Sequence, residues 1–230
     1  MQKRLLRLTL ADQAFENLAD AIVRGEFPPG APLSELEIAV KFGISRAPAR
    51  EAIYRLEARG LVRRSPHHGA RVVELSVKDL RELFQVREAL EGMACLLAAE
   101  SMTVAELDEL NASLATHGHQ PDFASGAAYY QAGGDNDFHF RIARGSRNGR
   151  LVRALCEDIY HVLRVYRFRS STQPGRAKQA HKEHEAIAAA LCARDGAAAE
   201  ARMRKHIRQS RKNTEVCAIS RAVSPNHWCK

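Results

Sequence analysis

The 230-residue chain is 45% hydrophobic and 27% charged, an ordinary globular composition that can bury one large core or two modest ones. Its 35 Lys and Arg against 27 Asp and Glu leave a net charge of +8, a mild basic excess that permits nucleic-acid binding without requiring it. The five cysteines, at 95, 156, 192, 217 and 229, have no CxxC spacing and no even pairing framework, which excludes a disulfide scaffold and suits reduced thiols in a cytoplasmic protein.

Near the N-terminus Lys3, Arg4 and Arg7 alternate with leucines, but no long apolar run or small-residue cleavage site follows, so neither a signal peptide nor a membrane anchor is expected. No stretch approaches about 18 apolar residues, so no transmembrane helix is expected either. From Leu10 to Arg24 the spacing of Ala14, Leu18, Ala21 and Ile22 predicts an amphipathic helix, ended by Gly25 and the Pro28-Pro29-Gly30 turn. Ser34-Glu35-Leu36-Glu37 reads as a capping box opening a short helix to Phe42, and Gly43-Ile44-Ser45 as a tight turn.

The run Ser45 to Val62 predicts a second helix, with Ala49, Ile53 and Leu56 on one stripe and Arg46, Arg50, Arg55 and Arg59 largely outside it. Helix, glycine turn and helix form a helix-turn-helix, whose second helix enters the major groove. Arg46 and Arg50 are four residues apart near the helix N-terminus, where the free N–H groups and the dipole already favour an anion. Leu61-Val-Arg-Arg and Arg71-Val-Val-Glu-Leu are β-prone runs joined by Ser65-Pro-His-His-Gly69, a hairpin wing whose His68-Gly69 tip can follow the backbone or minor groove. Residues 46–71 carry seven arginines against Glu51 and Glu57, a local charge of +5 on the helix and wing. Base or phosphate contacts are expected from Arg46 and Arg50, and Ser45 is expected to cap the helix and reach a phosphate.

The phrase SRAPAREAIYRLEARGLV, within LSELEIAVKFGISRAPAREAIYRLEARGLVRRSPHHGARV, closely resembles the DNA-binding domain of the GntR family of bacterial transcription regulators. The resemblance implies a winged helix-turn-helix that binds a palindromic operator on double-stranded DNA as a homodimer. Together with features further along, it extends over about residues 10 to 215.

Past Leu75, Ser76-Val77-Lys78-Asp79 is a new capping signal and marks a domain boundary. From there only helical periodicity is found. Six helices are predicted: Val77 to Glu100, Thr103 to Thr116, Phe123 to Ala143 with Gly133-Gly134 inside it, Gly149 to Phe168, Pro174 to Ala193, and Ala197 to Ala218. His117-Gly-His-Gln-Pro121 is a loop, and the tail from Ser220 has no periodicity. The fold class is therefore mainly α. A winged head with a small β-hairpin occupies residues 1–75, an all-helical bundle residues 76–219, and a loose tail residues 220–230.

Of ten histidines, those at 139, 161, 181, 184 and 206 fall on predicted helices. Asp135 and His139 are four apart, on one face of one helix, and His184 and His206 lie on two later helices, so three helices can project one carboxylate and three imidazoles inward. By itself Asp-x-x-x-His equally suits core or surface histidines. DNDFHFRIARGSRN followed by HKEHEAIAAALCARDGAAAEARMRKHI, however, resembles the FCD effector domain of the FadR branch of the same family. The resemblance implies a divalent metal held by Asp135, His139, His184 and His206, with Zn, Ni, Fe and Mn all suited to that donor set. His181, three residues before His184, is left as a group behind the ligands, a competing ligand or an effector contact. Arg87 either adds charge for an acidic effector or pairs with Glu91, four residues on.

Open coordination positions on such an ion suit the carboxylate of a small organic acid. The expected function is a transcription regulator, a repressor by resemblance, whose operator affinity that acid controls. The alternatives are a metal-dependent hydrolase fused to a DNA-binding head and an architectural DNA binder whose helical part only dimerises.

Overall fold

A computed structural model describes residues 9–74, 76–118, 137–171 and 175–223. The described residues before 75 form one compact unit and those from Ser76 onward another.

The first unit opens with α1 (Leu10–Arg24), where Thr9 and Asp12 complete a capping box and Gly25 closes the helix in the left-handed region at φ 81°. Ala14, Leu18, Ala21 and Ile22 are buried, joined by Phe15. Next come α2 (Glu35–Phe42), with Ser34 Oγ accepting the Glu37 N–H, and α3 (Arg46–Ala58), whose buried stripe is Ala49, Ala52, Ile53 and Leu56. Both α1 and α2 pack on α3. Three short strands follow the order β1-β3-β2, with β1 at Pro32–Leu33, β2 at Val62–Ser65 and β3 at Gly69–Val72. The wing pairs Val62 with Val72 and Ser65 with Gly69, and β1 adds Leu33 opposite Ala70. The sequence reading contains no β1, and it extends the third strand past its end at Val72.

In the second unit α4 (Val77–Ser101) starts from a Ser76/Asp79 capping box and lies along α10 (Gly196–Val223), the most extensive helix–helix contact among the described residues. Between them in sequence come α5 (Val104–Gly118), α6 (Phe138–Gly145), α7 (Gly149–Arg153), α8 (Tyr160–Ser171) and α9 (Arg176–Cys192). Leu80, Phe84, Cys95, Ala98, Leu110, Phe138, Ile142, Ile187, Leu191, Met203 and Ile207 fill the core. Two glycines let helices approach. A Cβ on Gly196 would stand 3.1 Å from the Leu96 carbonyl oxygen, and one on Gly145 would stand 2.5 Å from Met102 Cγ.

Several boundaries differ from the sequence reading: the last helix runs to Val223, past the expected end at Ala218 and into the residues read as a loose tail, and two others have a visible local cause. The helix expected over 123–143 begins, in its described part, at Phe138, because Asp137 adopts an extended N-cap conformation and its carboxylate accepts the His139 and Phe140 N–H groups. The helix expected over 149–168 is divided by a π-helical turn at Ala154–Asp158, after which α8 resumes at Tyr160. Such a turn inserts an extra residue and shifts the phase of the side chains after it.

Candidate functional site

Two constellations bear chemistry, one in each unit. In the first, Ser45, Arg46 and Arg50 are exposed at the start of α3. Ser45 occupies the N-cap position at φ −77°, but its hydroxyl makes no capping hydrogen bond, contrary to the expected capping role. The amides of that first turn are the donors a helix offers an anion. Arg50 is not free. Its Nε lies 3.0 and 3.1 Å from the two carboxylate oxygens of Glu35 on α2. Among the described residues Arg46 and Arg63 make no ion pair.

The other arginines are largely structural. Arg55 reaches Asp12 at 2.7 Å and lies over the Phe15 ring, tying α3 to α1. The Thr9 hydroxyl and Arg55 together hold the Asp12 carboxyl down at about 2. Arg71 donates to the Gly30 carbonyl at 2.8 Å. Arg64 stacks 3.8 Å from the centre of the Tyr54 ring, pairs with Glu57 at 3.3 Å, and donates its backbone N–H to the same carboxylate, so β2 is fastened to α3. At the wing tip His67 and Gly69 are both left-handed, at φ 66° and 68°, and His68 is exposed with its Nδ1 3.1 Å from the Pro66 carbonyl oxygen.

In the second unit His139 on α6, His184 on α9 and His206 on α10 are 7, 2 and 4% exposed, and their ligand nitrogens all lie within 4.8 Å of one another. The Nε2 atoms of His184 and His206 are 3.3 Å apart. Two nitrogens each about 2.05 Å from one tetrahedral ion would stand about 3.3 Å from each other. Phe138 stacks on His184 with ring centres 4.2 Å apart and fixes that imidazole.

Carboxylates sit behind two of the three rings. Glu91 Oε2 lies 2.5 Å from His139 Nδ1, while its other oxygen accepts from Arg87 Nε, and Arg87 Nη2 is 3.4 Å from both ring nitrogens of His139. Glu183 Oε2 lies 2.6 Å from His206 Nδ1, with Gln179 at 3.0 Å and Arg176 at 3.2 Å on the same carboxylate. Burial alone pushes the Glu183 carboxyl up. The hydrogen bond from His206, with Gln179 and Arg176 behind it, outweighs burial and brings it to about 2. Burial holds His206 below the ordinary imidazole value, against the Glu183 contact. A neutral imidazole beside an ionised carboxylate is the form that binds a metal. The donor set fits a divalent ion, and three imidazoles leave coordination positions for water or a small anion.

The structure thus brings together three of the four proposed ligands. Asp135 lies outside the described residues. His181 is not part of the trio, and its Nε2 pairs with Glu185 at 3.3 Å on its own helix. Arg87 forms the ion pair with Glu91 and touches His139 as well. Sequence reasoning missed Glu183 and the partnership of Glu91 with His139. For Glu183 the only available signal was its place directly before His184.

Comparison with known proteins gives a consistent picture. Residues 10–72 match the model of bacterial regulatory proteins of the gntR family, and residues 82–209 match the FCD domain. The chain is 34% identical over 210 residues, 89% of this chain and 88% of the relative, to the "Probable D-xylose utilization operon transcriptional repressor" of Paenarthrobacter nicotinovorans. It is 28% identical over 201 residues, 86% of this chain and 85% of the relative, to the HTH-type transcriptional repressor RspR of Escherichia coli K12. Among solved structures, E. coli McbR/YncC superposes with a TM-score of 0.68 at 24% identity, covering 88% of this chain and 95% of that one, a likeness of fold. These relatives are transcription regulators, not enzymes.

Proposed function

Since this chain belongs to the gntR family of bacterial regulatory proteins and carries an FCD domain, we propose that it is a transcription repressor whose operator affinity is set by a small carboxylic acid bound at a divalent ion. That it is a DNA-binding transcription regulator follows from the family. The metal, the acid and the homodimer on a palindromic operator are the proposed part.

One observation carries the metal half of this reading: three buried imidazoles from three different helices, with ligand nitrogens within 4.8 Å. Burying three imidazoles at one point is costly, and a shared ion would give the converging rings a common partner. His139, His184 and His206 would hold it, joined by Asp135 if the family pattern extends to that residue. When bound, the ion supplies a Lewis-acidic anchor for a carboxylate. Arg87, already against His139, adds a fixed positive charge on the same side. In the head, the exposed start of α3 with Arg46, Arg50 and Ser45, and the wing tip at His68-Gly69, form the reading surface.

An acid can change DNA affinity only if it binds one arrangement of the reading heads in preference to the other. The test is operator binding by fluorescence anisotropy on the full chain, with metal-stripped and metal-loaded protein titrated against a panel of small mono- and dicarboxylic acids. The reading expects release of DNA by at least one acid only when the ion is present. Identical isotherms with and without ion for every acid would sink it.

A further inference from the structure

The proposed metal centre depends on an imidazole presenting a lone pair, and a neutral imidazole has one lone pair and one N–H. Which nitrogen carries the proton is decided by what the ring touches on its far side. At His206 the far-side atom is Nδ1, and its neighbour is a carboxylate oxygen of Glu183 at 2.6 Å. An ionised carboxylate can only accept, so Nδ1 is the donor and Nε2 keeps its lone pair. That Nε2 is the atom 3.3 Å from His184 Nε2.

The geometry points to Glu183 as a positioning residue of the metal centre, one that acts through His206 by locking the tautomer and the ring angle that aim Nε2 at the ion. This inference rests on the metal reading above. Glu91 holds the equivalent place behind His139, with its carboxylate at 2.5 Å from Nδ1. The two supports differ in origin. Glu91 comes from α4 and is itself gripped by Arg87, whereas Glu183 is the residue directly before His184 on α9. Consecutive residues of one helix therefore stand against both nitrogens of the His206 ring, Glu183 at Nδ1 and His184 at Nε2. One turn of α9 supplies a ligand and also aims a ligand on α10. A purely structural role, pairing with Arg176, is the weaker contact at 3.2 Å.

The experiment uses the full chain, stripped of metal, and reads Zn(II) affinity by competition with a chromophoric chelator. Wild type, Glu183→Gln and Glu183→Ala are compared. Glutamine keeps an acceptor for Nδ1–H but not the negative charge, so it should retain most of the affinity. Alanine keeps neither and should weaken binding about 10- to 100-fold. The thermal midpoint of the stripped proteins is measured alongside, because a merely structural role would lower that midpoint and leave the affinity of the folded fraction unchanged. A variant-free readout stands beside these: imidazole nitrogen shifts of the stripped wild type should show His206 and His139 protonated at Nδ1. Zn(II) affinity in Glu183→Ala equal to wild type, or an Nε2–H tautomer at His206, overturns the inference. Failure of the wild type itself to take up Zn(II), Ni(II), Mn(II) or Fe(II) removes the metal reading and this one with it, and is seen before any variant is made.

Discussion

The ring of His206 lies 5.3 Å, centre to centre, from that of His139, although the two residues sit on different helices and 67 positions apart in the chain. With His184 as the third member, removal of any one should dismantle the centre. In wild type, a free ion at about a hundredfold its Kd should raise stability by about 2.7 kcal/mol, read as a shift in thermal midpoint between stripped and loaded protein. His139→Ala should abolish that shift. An undiminished shift in the variant would place the ion elsewhere.

On the reading surface, Arg46→Ala and Arg50→Ala should each weaken operator binding by roughly 1–3 kcal/mol per half-site if they contact a base, with relaxed sequence preference. A phosphate contact would instead lower the salt dependence and leave preference intact. Glu35→Ala removes the support from Arg50 without removing the guanidinium, so its effect should be smaller than that of Arg50→Ala. Anisotropy titrations at several salt concentrations separate these outcomes.

Arg64 stacks on the exposed Tyr54 ring, and cation–π contacts at exposed sites contribute about 0.5–1 kcal/mol. Tyr54→Ala should therefore loosen the wing and weaken DNA binding several-fold while the core of Leu18, Ile53 and Leu56 stays packed. Hydrogen exchange should quicken at the β2–β3 amides and not in α1. Uniform quickening throughout the head would mean that Tyr54 supports the whole fold rather than the wing.

Asp12 is the acid-sensitive group of the head. Its folded value of about 2 lies below the ordinary 3.8, so its contribution is fully present above about 3.8 and is lost as pH falls toward 2. Exchange at the α1 amides should rise over that window in wild type. In Asp12→Asn, which keeps a side-chain acceptor for the Thr9 N–H but not the ion pair with Arg55, that rise should be flattened.

Gly145→Ala should destabilise the second unit by roughly 1–3 kcal/mol, since the new methyl would overlap Met102 Cγ and Sδ, at 2.5 and 2.8 Å. Met102→Ala in the same chain should recover part of the loss. Chemical denaturation monitored by circular dichroism checks both.

What was legible in the sequence follows the range of the forces involved. The end of α1 and the start of α4 were readable because Gly25 and Ser76 act within a turn of the helix end they set. The strand at Pro32–Leu33 was not, because two residues have no periodicity and only pairing with Ala70 and Arg71 makes them a strand. The start of α6 was misread for a related reason. Asp137 acts as an N-cap by accepting the His139 and Phe140 N–H groups, and the sequence reading ran one helix across that position. The three histidines were named from a family resemblance, while their convergence and the carboxylates behind them arise from contacts 22 to 67 residues apart that no local pattern encodes.

The fastening of Arg64 to Tyr54 and Glu57 bears on how the head meets DNA. With β2 moored to α3 in the free protein, the hairpin arrives at the duplex already shaped, and the chain entropy lost in shaping it belongs to folding rather than to recognition. Helix and hairpin then bind as one rigid footprint, and a base pair that repels either of them repels both.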